Sequence, residues 1–161
     1  MLFGGLRRSY YTYKNITETN PILKKGAVVW CDLGFGVCEH TGVYLGNGLI
    51  MEFAGYKKGL IRPVDFKGFT RYGHFRSGTA IYAITDSKGN VLADETFADR
   101  AWRELLYPSK NRRYNLLTEN CHMFTAGCIT GDFDNGCIGF TLVEMEMQTY
   151  FSTLTSSRRV W

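Results

Sequence analysis

A cysteine acts as a nucleophile only as its thiolate, and the first turn of a helix favours that form through its unpaired N–H groups and partial positive charge. Cys121 stands where such a turn begins. Cys121, Phe124, Thr125, Cys128 and Ile129 recur at helical spacing, Asn120 is placed to cap the start and Gly131 lies beyond the end. The Cys121 amide and its neighbours are then positioned to receive an oxyanion. A small buried residue on the apolar face of the helix is the alternative reading of the same position.

A thiolate needs a base. His40 opens a strand after the glycine-rich stretch Asp32 to Val37. Glu52 lies about as far beyond Gly46-Asn47-Gly48 as His40 lies before it, so the two can face each other across a hairpin. A carboxylate there would hold the imidazole tautomer and stabilise the imidazolium, as the orienting member of a nucleophile, base and orienter set. Read alone, His40 is a satisfied surface or core group and Glu52 a charge on the solvent face of an edge strand. His122, next to the cysteine, points about 100° around the helix from it and is a local hydrogen-bonding residue, not the base.

The elements that must position these groups are strands first and helices second. Gly26 to Cys31, His40 to Leu45, Leu49 to Phe53, Leu60 to Val64 and Ala80 to Ile84 read as strands, and Ser87 to Asn90 as a turn. From Asp94, a helix cap, the period changes: Phe97, Ala98, Ala101, Trp102, Leu105 and Leu106 share one face, and Pro108 ends the run. Arg112 to Leu117 is a further strand or an extended entry to the cysteine helix. Thr141-Leu-Val-Glu144 is a capping-box pattern that leads into a third helix through Phe151. Strands and helices in separate blocks predict an α+β fold. Residues 1–20 read as an N-terminal arm, and 21–161 as one domain.

The segments His40 to Gly48 and Tyr114 to Phe124 resemble the lecithin:retinol acyltransferase-like family, within the permuted NlpC-type branch of papain-like cysteine enzymes. The resemblance spans roughly Lys24 to Asp134. It implies a permuted papain-like fold, with an antiparallel sheet or partial barrel packed against the helix that carries the nucleophile. It also implies Cys121 as nucleophile, His40 as base, Glu52 as third polar group and an acyl-thioester intermediate, with no metal or organic cofactor. The expected activity is acyl transfer or phospholipase-like hydrolysis of a lipid ester or amide. Alternatives are a permuted NlpC-type peptidase or amidase, possible on cell-wall material, and an inactive binding module. In many acyltransferase members Glu-His follows the cysteine and the third residue is histidine, where this chain has His122-Met123 and Glu52.

Composition narrows the partners. The chain of 161 residues is rich in apolar and aromatic side chains, which excludes a disordered protein. Its apolar runs fall short of the ~20 residues of a membrane-spanning helix. The five cysteines show no Cys-x-x-Cys spacing, so reduced thiols are expected rather than a zinc or redox centre. The net charge of +4 is modest, yet Lys57, Lys58, Arg62, Lys67, Arg71 and Arg76 are close in sequence. Lys57, Lys58, Arg62 and Arg71 are candidates for contact with an anionic head group over the cleft, or else belong to a solvated loop. No nucleic-acid motif accompanies them. Without a secretory signal, the expected location is the cytoplasm, or outside by a dedicated secretion system.

Overall fold

The computed structural model describes residues 22–33, 38–55, 59–71, 79–115 and 117–161. Among them lie six strands, β1 (Val28–Leu33), β2 (Cys38–Gly46), β3 (Leu49–Ala54), β4 (Leu60–Asp65), β5 (Tyr82–Asp86) and β6 (Thr155–Arg159). The helices are α1 (Phe66–Thr70), α2 (Glu95–Leu106), α3 (Cys121–Thr130) and α4 (Phe140–Phe151). The strands form one antiparallel sheet in the order β4-β3-β2-β1-β5-β6. The architecture is α+β, as the block order of the sequence predicts. The arm at residues 1–20 lies outside the described residues. No helix among the described residues is long and apolar enough to cross a membrane.

The turn between β2 and β3 forms at Asn47-Gly48, both with positive φ (53° and 78°), the geometry a two-residue hairpin needs and Asn-Gly tolerates. The central strand β1 reads Val-Val-Trp-Cys without polar alternation because both faces of the sheet are covered. On one face Val28, Trp30, Val43, Met51 and Phe53 meet Phe97, Phe124, Val143 and Met147 of α2, α3 and α4. On the other, Val29, Cys31 and Ile50 meet Phe69 of α1.

Several expectations need correction. Of the two readings of Arg112 to Leu117, the strand does not form among the described residues: residues 111–114 carry none, and an isolated Asn115–Glu119 bridge precedes α3. Helix α4 is capped not by Thr141 but by Gly139, with no side-chain cap bond; Phe140, the first helical residue, packs into the core against Trp30 at 5.2 Å. That burial draws the helix start forward and puts Thr141 inside it. On α2, Trp102 and Leu106 are exposed, while Glu104 is buried and paired with Arg112 at 2.6 Å. The ion pair lets a charged side chain take a core-facing position. Helix α1 and strand β6 were not anticipated: α1 is too short to show a period, and Thr-Ser-Ser-Arg-Arg carries no apolar alternation.

Gly42 lies on β2 where the α1 face is tightest. A Cβ there would stand 2.7 Å from both Ile50 Cγ2 and Met51 O, and 2.9 Å from the Phe69 ring. Gly42→Ala is therefore expected to cost about 1–3 kcal/mol, the range for overpacking. Urea denaturation measures it, and an unchanged midpoint would mean that Phe69 gives way freely.

Candidate active site

Helix α3 begins as its sequence suggests. Asn120 is extended (φ −133°, ψ −174°), and its side-chain oxygen accepts from the His122 and Met123 amides at 3.0 and 3.2 Å. Its Nδ2 donates to Ile138 O at 2.9 Å, so one carboxamide both caps the helix and ties it to the loop before α4. Cys121 is the first helical residue. All residues from Cys121 to Ile129 are buried, so α3 has no polar face; the spacing that marks Phe124 and Cys128 picks out one side of a helix enclosed on all sides.

The sheet is arranged to meet that helix end. β2 stays paired with β1 as far as Leu33↔Cys38, and β3 stays with β4 as far as Ala54↔Leu60, but the β2–β3 ladder stops at Gly42↔Glu52. Tyr44 donates its amide to Ala27 beside β1, and amide directions alternate along a strand, so the Thr41 amide points to the β3 side. With β3 gone from that position, the Thr41 amide donates to the Cys121 sulfur. A ladder hydrogen bond has become a thiolate hydrogen bond.

His40 and Glu52 come together, but diagonally. The two-residue turn pairs Gly46 with Leu49, and the ladder shift between Tyr44 and Gly46 then moves Glu52 from opposite Val43 to opposite Gly42, two residues from His40 and on its face. Glu52 Oε2 meets His40 Nε2 at 2.7 Å. His40 is 1% exposed and lies under Phe69, with ring centroids 4.9 Å apart, so its ring faces the interior rather than an open cleft. With Nε2 engaged by Glu52, Nδ1 is the ring nitrogen that serves the hydrogen bond between His40 and Cys121. Cys121, His40 and Glu52 are thus joined in one chain of hydrogen bonds.

Arg62, which the sequence groups with the basic stretch, belongs instead to this cluster. It sits directly opposite Glu52 on β4, and its Nε and Nη2 donate to Glu52 Oε1 at 3.0 and 2.8 Å. A guanidinium held this way is engaged with the carboxylate, so the head-group role drawn from sequence does not stand for Arg62. Arg71 is exposed just after α1, and Lys57 and Lys58 lie outside the described residues. Had the hairpin register been carried to a third strand, the pairing of Glu52 with Arg62 would have been visible.

Burial alone raises the Cys121 thiol, but the imidazoles of His122 and His40, the His40 hydrogen bond and the Thr41 amide more than offset it and bring the thiol down to about 5. Two other enclosed thiols, Cys128 and Cys137, move the opposite way. Burial and the Glu104 carboxylate push Cys128 up, and burial and Glu146 push Cys137 up to about 11. The two imidazoles have different surroundings. Thr125 donates to Thr41 Oγ1 at 3.0 Å, and Thr41 Oγ1 lies 3.2 Å from His122 Nδ1. His122 is therefore held by a hydroxyl chain, whereas His40 has a carboxylate behind it.

A groove of about 520 Å³ lies apart from the triad, lined by Phe53, Leu60, Ile61, Leu105 and Pro108 with Glu104 and Arg112 at its polar end. Phe53 connects it to the aromatic cluster beside α3, at 5.2 Å from Tyr114 and 6.5 Å from Phe124. No protein-family model matches the chain, and no curated protein or solved structure matches it either.

Because the Cys121 thiol is lowered, it is ionised above about pH 5. Its capture by iodoacetamide is expected to rise through that pH and level off well before neutrality, while Cys128 and Cys137 stay unlabelled. Intact-mass and peptide mapping follow this, and uniform labelling of the thiols would overturn the assignment. Asn120→Ala removes both cap hydrogen bonds and the Ile138 tether; at least about 1 kcal/mol of stability should be lost in urea denaturation.

Proposed function

We propose that the chain is a cysteine-dependent acyl-transfer enzyme or hydrolase with a permuted papain-like (NlpC-type) fold, in which Cys121, His40 and Glu52 act as nucleophile, base and orienter. The observation that carries it is a fully enclosed thiol drawn down to about 5 by His122 and His40 together, with His40 itself bonded to a buried carboxylate at 2.7 Å. Buried cysteines that only fill space behave as Cys128 does.

In this reading the Cys121 thiolate attacks the carbonyl carbon of an ester or amide. The tetrahedral oxyanion is received at the α3 N-terminus, where the Cys121 amide lies outside the Asn120 side-chain cap. The intermediate collapses with cleavage of the bond to the leaving group, which takes its proton from the His40 imidazolium. The acyl-thioester left on Cys121 is then cleaved by water, or by an acceptor hydroxyl or amine that His40 deprotonates. Each step uses residues already in contact.

A lipid ester or amide is the substrate class we favour. The groove beside Phe53 has a size suited to a small-molecule group and a largely apolar wall, which fits an acyl chain better than a peptide backbone. The test is to incubate the protein with phospholipid vesicles and, separately, with muropeptides. An acyl adduct on Cys121, or released fatty acid, is expected only with the lipid. Cys121→Ser should abolish the adduct, and His40→Ala should slow turnover by about 10²–10⁴-fold. Product from muropeptides alone would replace the lipid reading with a peptidase. Absence of adduct and product with both would leave a binding module.

A further inference from the structure

The Glu52 carboxylate has no solvent exposure, and a carboxyl group so enclosed tends to hold its proton unless charges or hydrogen bonds favour the ionised form. The consequence for His40 is specific. An ionised Glu52 accepts at Oε2, so His40 carries its proton on Nε2 and offers a bare Nδ1 toward Cys121. A protonated Glu52 would instead donate to Nε2, leaving the imidazole proton on Nδ1, where it blocks removal of the thiol proton. One proton on Glu52 would therefore disable the base without moving any heavy atom.

The group that decides this is on the edge strand. Arg62 presents two donors to Oε1, the oxygen His40 does not use, so the two carboxylate oxygens are divided between cation and imidazole. Among the described residues, His40 from β2 and Arg62 from β4 face Glu52; beyond His40 stand Cys121 and His122 of α3, and α1 contributes Phe69 rather than a charge. Arg62 is partly exposed while Glu52 is fully enclosed, so the arginine brings a solvated charge to the carboxylate at modest desolvation cost. We propose that Arg62 is a positioning residue that keeps Glu52 ionised and thereby holds the proton of neutral His40 on Nε2, so that Nδ1 can take the Cys121 proton and form the thiolate–imidazolium pair. This rests on the reading of Cys121 and His40 as nucleophile and base.

The test is the pH profile of Cys121 alkylation by iodoacetamide, measured with thermal unfolding on each variant. Arg62→Met should move the midpoint up by about one unit, which lowers the capture rate at pH 5 about fivefold. Arg62→Lys, which keeps a charge without the two-pronged geometry, should fall between, and serves as the measured variant if Arg62→Met does not fold. Glu52→Gln should lower the rate at least as much, and adding Arg62→Met to it should change the rate less than about twofold, because the arginine acts through the carboxylate. A midpoint unmoved by Arg62→Met, with only the melting temperature reduced, would make Arg62 a structural brace and overturn the proposal. So would an Arg62→Met effect that persists undiminished in the Glu52→Gln background. If His40→Ala leaves the wild-type midpoint where it is, the nucleophile and base reading falls and takes the proposal with it. If His40→Ala moves the midpoint and Arg62→Met does not, the proposal falls alone.

Discussion

Much of the molecule is arranged around one buried carboxylate. Glu52 sits in the middle of a three-strand row, with Gly42 on one side and Arg62 on the other. Gly42 leaves the space into which Ile50 and Phe69 pack. Arg62 supplies the opposite charge, and Phe69 on α1 covers the imidazole. A carboxylate enclosed this fully is tolerated in a protein interior only when its oxygens are hydrogen-bonded and its charge is matched. The edge strand β4, through Arg62, and strand β2, through His40, are the parts that meet those conditions.

The second constraint is the junction of sheet and helix. A helix enclosed on every side, as α3 is, must satisfy its end groups locally, and Asn120 does so with both ends of one carboxamide. Where β3 turns away from β2, an amide that would otherwise lack a strand partner meets the sulfur at the helix start. Two incomplete hydrogen-bonding patterns, the end of a ladder and the beginning of a helix, complete each other.

The parts of this arrangement legible in the sequence are those set by short-range chemistry. Asn-Gly announces the hairpin, Asp94 and Asn120 announce helix starts, and Gly131 an end, because each satisfies a local backbone requirement. His40 and Glu52 share a sheet face as diagonal rather than opposite neighbours, because the turn closes at Asn47-Gly48 and pairs Gly46 with Leu49, and the ladder shift that then brings Glu52 onto the face of His40 leaves no mark in residue type. The misread features depend on distant partners. Arg62 looks like one more basic residue until β4 is laid against β3. Thr141 looks like a cap until the burial of Phe140 sets the helix start, and Trp102 looks like core until Arg112 draws Glu104 inward. Helical spacing in α3 was visible, but not that its remaining faces are buried as well.

The release of the Thr41 amide from the β2–β3 ladder bears on when reactivity arises as well as on where. The groups that depress the thiol come from β2 as well as from α3 itself, and the Thr41 donor is available to sulfur only after β3 has both paired with β2 and departed from it. Before the sheet closes, Cys121 is an ordinary thiol at the start of an isolated ten-residue helix, too short to persist in water. A nascent or partly unfolded chain therefore carries no lowered thiol. The thiol is lowered by the completion of the fold, which makes its alkylation rate a direct report of sheet assembly during refolding.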